Sequence, residues 1–124
     1  MARPGSVIGW KLDREQRGEL LDRFPPRYPQ TVADHVTLEA EAESKSLPDP
    51  VEAVMVGIAD DRGGVEAMVV AIDGTTKRPD GSTYHITWSL APGRRARESN
   101  NVIREMGWDS FDVPIPLMLT PDRF

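Results

Sequence analysis

Two valine-rich runs, Val51 to Ile58 and Val65 to Ile72, stand on either side of Asp60-Asp61-Arg62-Gly63-Gly64. Valine suits a pleated strand and paired glycines suit a tight reversal, so the two runs predict a β-hairpin in the middle of the chain. A second turn over 74–82, containing Pro79-Asp80-Gly81, leads into a further strand from Thr83 to Leu90. The three strands together predict an antiparallel meander. After Pro92-Gly93 a short helix is expected, starting around Arg97 to Ser99, carrying Val102, Ile103 and Met106 inward and ending at Gly107. Phe111 to Leu119 is expected as the last strand. Its prolines at 114 and 116 suit a sheet edge, where a missing donor faces solvent.

Upstream of the hairpin, Val7 to Leu12 predicts a strand. Asp13 can cap a helix, with Gln16 in the place of a capping-box partner. Leu20, Leu21 and Phe24 give that helix an apolar stripe, and Pro25-Pro26 ends it. Val32 to Ala40 predicts a second strand, followed by an acidic, proline-bearing surface loop from Glu41 to Pro50. The order is strand, helix, strand, three-strand meander, helix, strand. This predicts an α+β fold with mostly antiparallel pairing and one domain over residues 1–124.

The chain has 124 residues, 39% hydrophobic and 28% charged, which is the balance of a globular protein with one ordinary core. It has no cysteine, so disulfides and thiolate chemistry are excluded. The formal net charge of −5 argues against tracking a long nucleic-acid backbone, which normally needs a basic footprint. A nucleotide or an RNA end is compatible with it, since a few local cations such as Lys77-Arg78 or Arg94, Arg95 and Arg97 can hold one phosphate. No apolar run is long enough to span a bilayer, and the first residues lack a secretory pattern, so no membrane partner and a cytoplasmic location are expected.

Only two histidines occur, and both open the same tetrapeptide pattern: His35-Val36-Thr37-Leu38 and His85-Ile86-Thr87-Trp88. Each is histidine, apolar, threonine, apolar, inside an expected strand. Side chains alternate along a strand, so each histidine shares a face with its threonine, about 7 Å apart. The apolar partners point the other way, into the core. Two such strands side by side would line one polar cleft with two imidazoles and two hydroxyls. An imidazole exchanges protons near neutral pH, and a hydroxyl can donate to an anionic oxygen. That set is suited to acid/base cleavage of a phosphodiester.

The paired motifs resemble those of the two-histidine (2H) phosphoesterase superfamily, whose members include RNA 2′,3′-cyclic phosphodiesterases. The second half, YHITWSL followed by GRRARESN, resembles the cyclic phosphodiesterase domain of fungal tRNA ligases. The resemblance implies a bilobal fold with a central cleft, here with about one helix per lobe. It also implies that His35 and His85 transfer the protons while Thr37 and Thr87 hold the phosphate. The 50-residue separation of the histidines is short for that superfamily, which implies fewer accessory elements around the cleft.

The reaction so implied opens a 2′,3′-cyclic phosphate on a nucleotide or RNA end, with no metal or other cofactor. The sequence leaves open which histidine is acid and which is base. It also leaves open another phosphodiester, such as a cyclic oligonucleotide or a cyclic phosphate of ADP-ribose, and a non-catalytic nucleotide- or RNA-end-binding module. A metal would need a third ligand. Asp34 is expected on the face opposite His35, and Glu39 lies four residues along on the same face. Trp88 and Tyr84 are expected in the core, opposite His85. Trp10 and Trp108 are left open as stacking surfaces, and Lys11, Arg94, Arg95 and Arg97 as phosphate or ribose contacts.

Overall fold

A computed structural model describes residues 4–124. Residues 1–3 of the expected 1–124 domain, and that part of the amino-terminal reading, lie outside the described residues. Ten elements follow in order: β1 (Ile8–Leu12), α1 (Arg14–Arg23), β2 (Gln30–Thr31), β3 (His35–Glu39), β4 (Ala53–Asp60), β5 (Val65–Ile72), β6 (His85–Leu90), α2 (Glu98–Met106), β7 (Asp109–Leu117) and β8 (Leu119–Arg123). They form an α+β fold with two antiparallel sheets, ordered β3-β1-β8 and β2-β6-β5-β4-β7. No helix among the described residues is long and apolar enough to cross a membrane.

β5 is the centre of the larger sheet and is buried at every position. Its alternate residues serve two cores. Met68, Val70 and Ile72 join Trp10, Leu12 and Val36 of the smaller sheet and Leu20 of α1. Val65, Ala67 and Val69 instead pack with Val102 and Ile103 of α2. Each fully buried side chain of this size contributes about 1.5–3 kcal/mol of transfer free energy, so a strand buried on both faces anchors the fold. The meander β4-β5-β6 forms as expected, and β7, with Pro114 and Pro116, is an edge strand as expected.

Other elements differ from expectation. Val32 to Ala40 is not one strand. The chain leaves the larger sheet after the Val32 and Ala33 amides have bonded the Trp88 and Thr87 carbonyls. It turns at Ala33, whose φ of 43° is left-handed, and enters the smaller sheet as β3. Arg17 of α1 holds this turn, donating from Nε to the Ala33 carbonyl at 2.8 Å and from its terminal nitrogen to the Val32 carbonyl at 3.0 Å. Nor is Phe111 to Leu119 the last strand, because β8 follows it and pairs with β1. Met106 is 62% exposed rather than inward, because α2 buries only Ser99, Val102 and Ile103.

Asp13 caps α1 by accepting from the Gln16 amide at 3.0 Å. The capping box does not close, since the Gln16 side chain bonds the Pro116 carbonyl and the Met118 amide instead. Gly9 of β1 is required by close approach: a Cβ there would lie 2.1 Å from the Val36 carbonyl oxygen of β3.

Candidate active site

Within each motif the alternation holds. Val36, Leu38, Ile86 and Trp88 all pack in the core shared by both sheets. His35, Thr37, His85 and Thr87 line one cavity of about 670 Å³. That volume falls in the range of about 300–1,000 Å³ usual for small-ligand sites. The cavity takes one wall from β3 of the smaller sheet and one from β6 of the larger, and these two strands approach each other. The two motifs share a further feature. β1 pairs Gly9 with Thr37 and Ile8 with Glu39, skipping Leu38. β5 pairs Ala67 with Thr87 and Glu66 with Ser89, skipping Trp88. A β-bulge therefore follows the threonine in both motifs, a device that bends a strand and re-aims its side chains.

Each imidazole is oriented through Nδ1. In His85, Nδ1–H donates to the Thr83 carbonyl at 2.9 Å. A carbonyl can only accept, so the proton of the neutral ring sits on Nδ1 and Nε2 carries the lone pair. In His35, Nδ1–H donates to Oδ2 of Asp34 at 2.9 Å. Asp34 is thus not on the opposite face. It precedes β3 and follows the left-handed Ala33, so strand alternation does not apply to it. Lys11 and Arg14 also hold its carboxylate, each at 2.5 Å. Burial raises the Asp34 carboxyl, but the bonds from Lys11, Arg14 and His35 outweigh it and hold the group well below the usual carboxylate range.

Burial pushes the His35 imidazole below its ordinary value; Asp34 opposes this, while Lys11 and Arg14 add to it. His85 is also lowered, first by burial and then by the positive charges of Arg78 and His35, against the Thr83 carbonyl.

The threonines are not equivalent. Thr37 is partly exposed on the cavity wall. Thr87 is 8% exposed, and its hydroxyl already pairs with Ser99 Oγ at 2.9 Å and donates toward the Ala96 carbonyl at 3.3 Å.

Among the cations, Lys11 is committed to Asp34, and Arg94 to Asp61, Glu98 and the Gly63 carbonyl. Arg97 is exposed and lines the cavity. Arg78 lines it too, but is only 7% exposed. Trp10 is a core residue, set edge-on to Tyr84, and Trp108 packs on Gly57. The aromatic ring at the site is Phe124, whose centroid lies 4.1 Å from that of His35. Its position follows from β8, which no sequence signal marked. Among the described residues, no group of three histidine or acidic side chains could hold a metal ion.

Compared with known proteins, the chain matches no family model, no curated protein and no solved structure. The functional reading therefore rests on the residues and their geometry.

Proposed function

We propose that this chain is a metal-independent phosphodiesterase that opens a 2′,3′-cyclic phosphate of a nucleotide or RNA end, in the manner implied by the resemblance to two-histidine phosphoesterases. One observation carries the reading: two imidazoles share a cavity, and each is tied through Nδ1 to the protein, leaving Nε2 for the ligand. A structural histidine pair has no need of a shared cavity or of two free ring nitrogens.

The hydrogen bonds also suggest roles. His85, with its proton held on Nδ1 by a carbonyl, presents a bare Nε2 and acts as the base. His35, beside the Asp34 carboxylate, has a partner that favours its imidazolium form and acts as the acid. In the reaction His85 Nε2 takes a proton from water, and the water oxygen bonds to phosphorus. The bond from phosphorus to one ribose oxygen breaks, and that oxygen receives the proton from His35 Nε2. The product is a phosphomonoester, and proton exchange with solvent resets the pair. Thr37 donates to a non-bridging oxygen as charge develops there. Thr87 does so by giving up its bond toward Ala96.

With this activity we infer a cytoplasmic protein whose partner is the nucleotide or RNA end itself, with no long nucleic acid and no membrane. The test is incubation with adenosine 2′,3′-cyclic phosphate in the presence of EDTA, followed by phosphorus NMR. Ring opening is expected. An intact cyclic phosphate throughout the imidazole titration range rejects the proposal.

A further inference from the structure

We propose that Arg78 is the anion-binding residue of this cavity, its guanidinium holding a phosphoryl oxygen of the ligand. The inference rests on the phosphate-ester reading above for the ligand's chemistry, and adds a residue outside both motifs.

The guanidinium of Arg78 is held at one end. One terminal nitrogen donates to Ser82 Oγ at 3.0 Å and the other to the Leu38 carbonyl at 3.1 Å. Asp80 lies 3.6 Å from it but is itself 57% exposed. Nε is different: it is buried and meets no hydrogen-bond acceptor among the described residues. Arginine cannot shed its proton, so this is a permanently charged group with an unmet donor. Buried donors in native proteins are almost always paired, so an unmet one in a side chain that lines the cavity points to a partner the guanidinium takes up when a ligand binds.

The cavity's own inventory points the same way. Thr87 has its hydroxyl engaged by Ser99 and Ala96, so the threonines alone supply few free donors. Of the two arginines on the wall, Arg97 is exposed and screened by solvent, whereas Arg78 acts from a low-dielectric position where a charge-assisted bond to a phosphoryl oxygen is strongest. Its bond to Leu38 ties it to the bulge of the first motif, and its turn leads directly into the second. Arg78 therefore spans both halves of the site.

The experiment uses the full chain labelled with ¹⁵N and two probes, adenosine 2′-phosphate and inorganic phosphate. The Nε–H resonance of Arg78, assigned by its loss in Arg78→Lys, should move downfield and saturate together with the histidine ring signals. Arg78→Lys keeps the charge but removes the planar guanidinium and its fixed donors, and should weaken adenosine 2′-phosphate by about 10- to 100-fold. If that variant does not fold, the shift in the parent protein decides alone, with assignment by selective labelling.

Histidine signals that saturate while Arg78 Nε–H stays put overturn the proposal, as does the absence of binding. Ring opening with an unmoved Arg78 sinks this inference and leaves the enzyme. A moved Arg78 without ring opening does the reverse.

Discussion

Leu38 and Trp88 stand at the same place in their two motifs and break their ladders in the same way: the neighbouring strand skips each of them. Each His–Thr pair thus ends at a bulge, while the skipped residue keeps its side chain in the common core. The likeness of the two halves lies in backbone pairing as well as in a four-residue pattern of sequence.

Replacing either histidine by alanine should lower turnover of adenosine 2′,3′-cyclic phosphate by roughly 10²- to 10⁴-fold, because in the proposed reaction each supplies one proton transfer. The double variant should lose less than the product of the two, since in that reaction the pair acts as a unit. Steady-state rates with circular dichroism as a check on folding would measure this. Full activity in the double variant would place the chemistry elsewhere.

The pH profile should be a bell displaced to the acid side of 6.5, the ordinary imidazole value, because both histidines are lowered by burial. Stability follows the same shifts. A lowered imidazole binds its proton more readily in the unfolded chain, so stability is complete above 6.5 and is lost as pH falls through the folded-state values. Thermal melts across that window should show Tm falling toward acid, with a shallower fall in His85→Ala.

Asp34→Asn should move the basic limb of the bell to lower pH. It removes the carboxylate that opposes the burial effect on His35, and leaves Lys11 and Arg14 uncompensated beside the ring. A carbon-detected titration of the His35 ring would report the lowered value directly. An unchanged limb would show that Asp34 only braces the turn.

Thr37→Val and Thr87→Val should part company. Thr37→Val should cost about 10²- to 10³-fold in turnover with little change in Tm, as loss of one positioned donor does. Thr87→Val also strips a partner from the fully buried Ser99, so it should lower stability by about 1–3 kcal/mol. Parallel melts and rate measurements separate the two effects.

Gly9→Ala tests how the first motif is positioned. The added Cβ would meet the Val36 carbonyl oxygen at 2.1 Å, and backbone cannot yield as a flexible side chain can. A loss of about 1–3 kcal/mol is expected, together with reduced turnover, because β3 must move away from β1. Urea unfolding monitored by tryptophan fluorescence would measure the first effect.

The hairpin was legible because glycine, aspartate and valine each have a local physical preference that agrees with the fold. The two histidines were legible because strand alternation governs their motifs. What escaped has no such local mark. Nothing in Val32-Ala33-Asp34 announces a left-handed alanine; the turn is held from a distance by Arg17. Leu119 to Arg123 carries a proline and two charges, and becomes β8 through its pairing with β1. Alternation puts Asp34 on the wrong face when it is extended past the end of a strand, and Lys77-Arg78 marks a pair of phosphate-holding cations without showing that only Arg78 is buried against the cavity.

The smaller sheet joins segments from opposite ends of the chain, with β1 between β3 and β8. Closing so long a loop costs more chain entropy than folding the local meander that carries His85. During refolding, the β4-β5-β6 unit should form before β8 closes onto β1, and the Phe124 ring should be the last part of the site to reach its place beside His35. Catalytic competence would then return after most of the secondary structure, as a late kinetic phase.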